Sequence, residues 1–157
     1  MTALRIGDKA PDFAAQTQEG KTISLADYRH HNLVVLFFYP QDYTPVCTKE
    51  ACAFRDAYQD FLEAGAIVLG VSSDSEQRHR DFAKTHRLPF PLLSDPQQTV
   101  RKAFGVPSTL WLFPGRVTYV IDAEGIIRHI FNSQLQAGQH VTEALAIVQK
   151  LAKPPET

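Results

Sequence analysis

Cys47 and Cys52 are the residues of this chain best placed to do chemistry, and they are its only two cysteines. A strand-like run, Leu33 to Tyr39, leads into them, and a helix-like pattern follows. Thr44-Pro45 is a good helix start, with Thr as N-cap and Pro at the first helical position. Cys47 then falls at the third helical position. The first-turn N–H groups have no intrahelical partners there, and the helix dipole is positive. Both effects favour a thiolate over a thiol, and the thiolate is the nucleophile.

Blander readings of the pair are weaker. Two cysteines can be inert core residues, but a strand, a turn and an N-cap ahead of Cys47 make a reactive-site context. Zinc needs about four ligands at short spacings. The six histidines, at 30, 31, 79, 86, 129 and 140, are scattered and none lies near the pair in sequence. His30-His31 reads as a solvated helix end. A thioredoxin-type dithiol is Cys-x-x-Cys, whereas here four residues intervene.

The stretch resembles the peroxiredoxins, thiol peroxidases of the thioredoxin superfamily. The family pattern Pro-x-x-x-Thr-x-x-Cys reads Pro40, Thr44, Cys47, with the spacing intact. Cys52 followed by Phe54-Arg55-Asp56 is similar to the bacterioferritin-comigratory-protein, or Q-type, subgroup. The likeness runs from Gly7 to the last helix. One departure is Val46, where many members have Gly, and a larger side chain there narrows access to the thiol.

The resemblance implies that Cys47 attacks hydrogen peroxide or an organic hydroperoxide and becomes a sulfenic acid. It implies that Cys52 condenses with it to a disulfide, which thioredoxin or a similar dithiol reduces. It also implies that no metal or other cofactor is required. The attack needs the developing oxygen charge to be stabilised. Thr44 can bond sulfur or peroxide oxygen, and Pro40 can shield the site from water. A permanent cation is the missing part, and Arg suits it. The family arginine begins a late strand, here Arg116-Val-Thr-Tyr-Val-Ile-Asp122, so the role falls to Arg116. Glu50 matches a family glutamate that orients polar groups, although an exposed helical glutamate is an equal reading. Trp111 is placed near the pocket or in the core. Two other readings compete: an oxidoreductase acting on protein disulfides, and a redox-sensing interaction protein. Neither needs Thr44 or Arg116.

The cysteine spacing has a mechanical consequence. In an ideal α-helix, Cα atoms five positions apart are about 8.6 Å from each other, and a disulfide wants about 4.4–6.8 Å. If the pair is joined during catalysis, the first turns must unwind, or Cys47 must precede the regular helix.

The surrounding pattern predicts the frame. Ala14 to Ile23 reads as a hairpin turning at Glu19-Gly20, and Leu25 to His30 as a helical turn with Ser24 as N-cap. Leu33 to Tyr39 and Ala66 to Ser72 read as strands buried on both faces. The helix from Pro45 is expected to end at Gly65. Ser75 to His86 reads as a polar helix with Phe82 and Ala83 inward, Pro91 to Leu93 as a short strand, and Gln97 to Phe104 as a short helix. Val117 to Asp122 and Ile126 to Phe131 make a hairpin, and Val141 to Leu151 a closing amphipathic helix. Strands alternating with helices predict an α/β chain. A central mixed β-sheet flanked by helices, of the thioredoxin-like type with an N-terminal β-hairpin extension, is expected. Residues 1–153 are expected to form one domain and 154–157 a flexible tail.

A net charge of −1 offers nothing to nucleic acid or an anionic membrane. With 44% hydrophobic and 21% charged residues the chain reads as globular. No signal or transit pattern opens it, so a cytoplasmic address is expected. In such a compartment two cysteines are more often catalytic than structural. A monomer is expected as well.

Overall fold

The computed structural model describes residues 4–106, 108–109, 113–114, 116–133 and 136–152. Trp111 and the tail at 154–157 lie outside them.

Strands β1 (Ala14–Thr17) and β2 (Thr22–Ser24) form the N-terminal hairpin, with Gly20 at φ 78° in the turn. A single 3₁₀ turn, Leu25–Tyr28, follows, and Asp27 accepts from the Ser24 N–H at its start. Strand β3 (Leu33–Phe38) leads to helix α1 (Pro45–Glu63), then to β4 (Ala66–Ser72) and α2 (Glu76–His86). Next come β5 (Leu92–Ser94), α3 (Thr99–Phe104), and the short pair β6 (Ser108–Thr109) and β7 (Phe113–Pro114). Strands β8 (Val117–Ile121) and β9 (Ile127–Asn132) form the second hairpin, and α4 (Ala137–Ala152) closes the chain. The β6–β7 pair was not foreseen, and α4 begins four residues before the predicted Val141. Its opening Ala-Gly-Gln-His carries little apolar signal.

Among the described residues, seven strands form one sheet in the order β2-β1-β5-β4-β3-β8-β9. β3 pairs parallel with β4 and antiparallel with β8, so the sheet is mixed, as expected. A strand's side chains alternate between faces, and β3 is apolar throughout because both faces are covered. Val35, Phe37 and Tyr39 pack toward α1, α2 and α4. Val34, Leu36 and Phe38 pack toward the 3₁₀ turn and α3. Phe37 stacks on Phe54 of α1, with ring centroids 4.5 Å apart. Gly70 on β4 makes room for this ring: a Cβ there would lie 2.8 Å from Phe37 Cζ and 2.9 Å from Leu92 Cδ2. Among the described residues no helix is long and apolar enough to cross a membrane.

The register places the site. Phe38 at the end of β3 pairs with Val117 at the start of β8. The chain leaving β3 toward α1 therefore runs beside the chain entering β8. Arg116 stands one residue before β8 and is brought to the mouth of α1 by that antiparallel pairing.

Candidate active site

The loop from Tyr39 to Thr44 is held from below. Asp42 is fully buried. Its backbone N–H donates to Asp74 Oδ2 at 2.7 Å, and its carbonyl accepts from the Arg78 guanidinium at 3.2 Å. Its carboxylate accepts from the Tyr39 hydroxyl at 2.6 Å and meets Nδ1 of buried His79 at 2.5 Å. The other ring nitrogen of His79 faces the Leu93 carbonyl at 3.1 Å. Asp42 and the Leu93 carbonyl thus hold the ring from both sides. Burial, then Asp42, pushes the Tyr39 hydroxyl well above its ordinary pKa, and it stays a donor. Asp42, Asp74 and His79 sit close enough to suggest a cation site, but Asp42 and His79 already bond each other and Asp74 holds the loop. Tyr43 adopts a left-handed conformation at φ 68°, unusual for a side chain with a Cβ. It covers Phe82 edge-on at 5.0 Å, with the Arg78 guanidinium 5.2 Å from its ring.

Thr44 occupies the N-cap position and Pro45 the first helical one, as the sequence predicts. The Thr44 side chain does not cap, however. Its hydroxyl donates to the Gln41 carbonyl at 3.0 Å, away from the first-turn N–H groups. The first helical bond is Thr48 N–H to Thr44 O at 2.8 Å. The Thr44 hydroxyl thus braces the loop through its proton and keeps lone pairs for a peroxide O–H. Pro40 is half-buried at the same loop, and Val46 is half-buried at the second helical position.

Cys47 is buried, with 1% of its surface exposed. One terminal nitrogen of Arg116 donates to its Sγ at 3.0 Å, and the other donates to Glu50 Oε1 at 2.8 Å. Arg116 and Glu50 are themselves buried, so this is a dry contact in which charge is weakly screened. Burial works against the guanidinium charge, but Glu50 and Cys47 outweigh it and its pKa is raised. The exposed-glutamate reading of Glu50 is therefore corrected: its position one turn after Cys47 faces the sheet. Burial pushes the Glu50 carboxyl up to about 7, although Arg116 pulls it down.

Three further groups were not assigned to the site from sequence. His140 of α4, fully buried, comes within 3.5 Å of Glu50 Oε2. Burial holds its ring down to about 4, so the contact with Glu50 is not a salt bridge near neutral pH. Thr118 of β8 lies 2.7 Å from His140 Nδ1. Arg101 of α3 is buried too: its backbone N–H and that of Val100 are held by Asp95, and its guanidinium donates to the Tyr39 carbonyl at 3.1 Å. Burial lowers its pKa, while Asp95, then Tyr119 and Cys47, work to raise it. The available signal was periodicity. His140 shares the stripe of Ala137, Val141, Ala144 and Val148, which marks a buried position.

Cys52 lies on the same unbroken helix as Cys47, half-buried, and both thiols are free. Arg55 donates to the His86 carbonyl at the end of α2, at 2.7 Å. The helix is regular across both cysteines, so of the two arrangements left open by their spacing, the one with Cys47 ahead of the helix does not hold here.

The chain has relatives among known proteins. Residues 6–130 match the AhpC/TSA family. The chain belongs to that family, and within it to the peroxiredoxins. This peroxiredoxin is 50% identical over 146 residues to "Peroxiredoxin Q, chloroplastic" of Triticum aestivum, covering 92% of this chain and 67% of that one. Its fold matches peroxidoxin BcpB of Mycobacterium tuberculosis with a TM-score of 0.87, at 37% identity, covering 94% and 98% of the two chains. It matches a cysteine-to-serine mutant of PrxQ from Xylella fastidiosa with a TM-score of 0.89, at 28% identity, covering 98% and 100%. These likenesses agree with the thioredoxin-like sheet and with thiol peroxidase chemistry for this peroxiredoxin.

Proposed function

We propose that the protein reduces hydrogen peroxide and organic hydroperoxides through Cys47, forms a Cys47–Cys52 disulfide, and is recycled by thioredoxin or a similar dithiol protein. The observation that carries this reading is the 3.0 Å contact between Arg116 and Cys47 Sγ at the start of α1. The thiolate attacks one peroxide oxygen, the O–O bond breaks, and the electron pair leaves on the second oxygen, which becomes an alcohol or water on taking a proton. Sulfur becomes a sulfenic acid. The Cys52 thiol then displaces water from that sulfenic acid, forming the disulfide. Two electrons from the partner dithiol restore both thiols. Arg116, the helix N-terminus and the Thr44 lone pairs hold the peroxide in line and oppose the charge on the leaving oxygen. A monomer is sufficient for this cycle, since both cysteines stand on one helix. The proposal includes a cytoplasmic setting, where reductants keep thiols reduced; the plant relatives are named as chloroplastic proteins.

The test is peroxide-dependent NADPH consumption coupled through thioredoxin and its reductase, with several peroxides compared. Cys47→Ser is expected to abolish turnover and the single-turnover burst alike. Cys52→Ser is expected to keep the burst and then stall or over-oxidise. A burst that survives Cys47→Ser and vanishes with Cys52→Ser would reverse the roles. Reduction of insulin-type disulfides without peroxide would favour the oxidoreductase reading instead.

A further inference from the structure

Glu50 is fully buried, yet only one of its oxygens is satisfied. Oε1 accepts from Arg116, while Oε2 has no hydrogen-bond partner and lies 3.5 Å from Nδ1 of His140. The ring of His140 is fixed on its other side, where Nε2 is 2.7 Å from the Ser133 carbonyl. A carbonyl can only accept, so the ring proton sits on Nε2. Nδ1 is left with a lone pair, which faces the Thr118 hydroxyl at 2.7 Å and the orphaned Glu50 oxygen. A neutral ring held this way has no proton to give Glu50. An ionised carboxylate would leave Oε2 unpaired against that lone pair in a buried setting, which is unfavourable. A carboxylic acid resolves the conflict, because it sets no second anion against that lone pair.

Charge counting leads to the same place. Cys47 and Glu50, both on α1, each accept from Arg116. A buried guanidinium balances one anion, and a second is disfavoured by like-charge repulsion and desolvation. The other charges nearby have partners of their own: Arg101 lies against Asp95, and Glu143, which acts on His140, pairs with His129.

We propose that Cys47 and Glu50 share one proton across Arg116, and that His140 is the positioning residue that lets the carboxyl hold it while the sulfur is ionised. In one form the sulfur is a thiolate and Glu50 an acid; in the other, Cys47 is a thiol and Glu50 a carboxylate. The net charge of the cluster is the same in both. The proposal rests on the peroxidase reading for its use: thiolate, carboxylic acid and ROOH become sulfenic acid, carboxylate and ROH. Oxygen and protons balance, because the alkoxide gains in net terms the proton that Glu50 gives up. As the sulfur loses its charge, Glu50 replaces it as the anion beside Arg116. The raised Glu50 carboxyl and the depressed His140 ring accord with an acid facing a neutral imidazole.

Infrared difference spectroscopy tests this without peroxide, and so separately from the peroxidase reading. In Cys52→Ser protein, where Cys47 is the remaining thiol, the reduced form near neutral pH is expected to show a buried carboxylic-acid carbonyl band. Capping Cys47 with a neutral alkyl group should abolish the band, since Arg116 then requires the carboxylate. No band, or a band unchanged by capping, overturns the proposal. A second measurement follows thiolate absorbance against pH. Glu50→Gln should lower the midpoint of thiolate formation, because the competing anion is gone. His140→Gln, whose amide can donate to Oε2, should raise it by about one unit or more. In the Glu50→Gln background the same His140→Gln change should move it little, a non-additivity that a merely structural role would not produce. Equal shifts in both backgrounds would reduce His140 to a packing residue and overturn its part. If neither variant folds, the infrared comparison still decides.

Discussion

Arg116 divides its two terminal nitrogens between a sulfur and a carboxyl, and that division sets what its loss should do. Arg116→Ala removes the buried cation from the sulfur and from the leaving oxygen. The rate of peroxide attack should fall by on the order of 10²–10³, the usual loss for one preorganised donor. Arg116→Lys should recover only part, since an ammonium cannot serve both partners in one plane. Stopped-flow kinetics of the sulfenic-acid step measures both, and a near wild-type rate for Arg116→Ala would pass the role to Arg101. Glu50 and His140 have a separate signature in stability. The Glu50 carboxyl rises from 4.5 to about 7 on folding, so its contribution is present at low pH and is lost as pH rises across that window. The His140 ring falls from 6.5 to about 4, so its contribution is present above 6.5 and is lost as pH falls toward 4. The two oppose each other where the windows overlap. Glu50→Gln should therefore leave a stability profile that climbs more steeply with pH between about 4.5 and 6.5 than the wild type, by up to about 1.4 kcal/mol per pH unit per proton. Urea denaturation across that range reads the slope, and an unchanged slope would contradict it.

At the scale of the element, most of the frame was legible in the sequence because each piece carries its own local code. The β3 run is apolar on both faces, Thr44-Pro45 starts α1, Ser75 caps α2 by accepting from Arg78 N–H, and Gly105 ends α3 in the left-handed conformation. What was not legible depends on how elements meet. The Arg116–Cys47 contact spans 69 positions and exists because β8 runs antiparallel to β3; only family resemblance assigned it beforehand. His79 lies on a helix that reads as polar, and it is fully buried because Asp42 arrives from a loop 37 positions earlier. His140 reads as an ordinary member of an amphipathic stripe until α4 is laid against α1. Gly70 shows the same dependence: nothing in its neighbours demands glycine, and the Phe37 ring does. Gly70→Ala should destabilise the fold by about 1–3 kcal/mol through overpacking under α1. A shift of the urea midpoint checks this, and an unchanged midpoint would mean Phe37 moves aside freely.

At the scale of the molecule, the site belongs to one face of the sheet. Cys47, Ala51 and Phe54 are part of the core between the sheet and α1, α2 and α4, while the hairpin and α3 build a separate core on the opposite face. Joining Cys47 to Cys52 requires the first turns of α1 to come apart, because the helix is regular across both. That step withdraws Cys47 and Ala51 from the first core and breaks the Arg116 contact, and it leaves the second core in place. Amide exchange in the oxidised protein should accordingly rise across residues 46–54 and stay unchanged in β1, β5 and α3. Stability gives the sharper test. A disulfide closing a loop of six residues should by chain entropy alone stabilise the protein by about 2 kcal/mol. Against this stand the lost burial of two side chains, several helical hydrogen bonds of about 1 kcal/mol each, and a buried Glu50–Arg116 pair stripped of its thiol partner. The losses exceed the entropic gain, so the oxidised protein should unfold at a lower denaturant concentration than the reduced one despite its cross-link. Guanidinium titrations of both redox forms, with the disulfide mapped, make the comparison. An oxidised form more stable by the full entropic increment would mean that α1 accommodates the bond without unwinding, and the mechanical account of the cycle would fail.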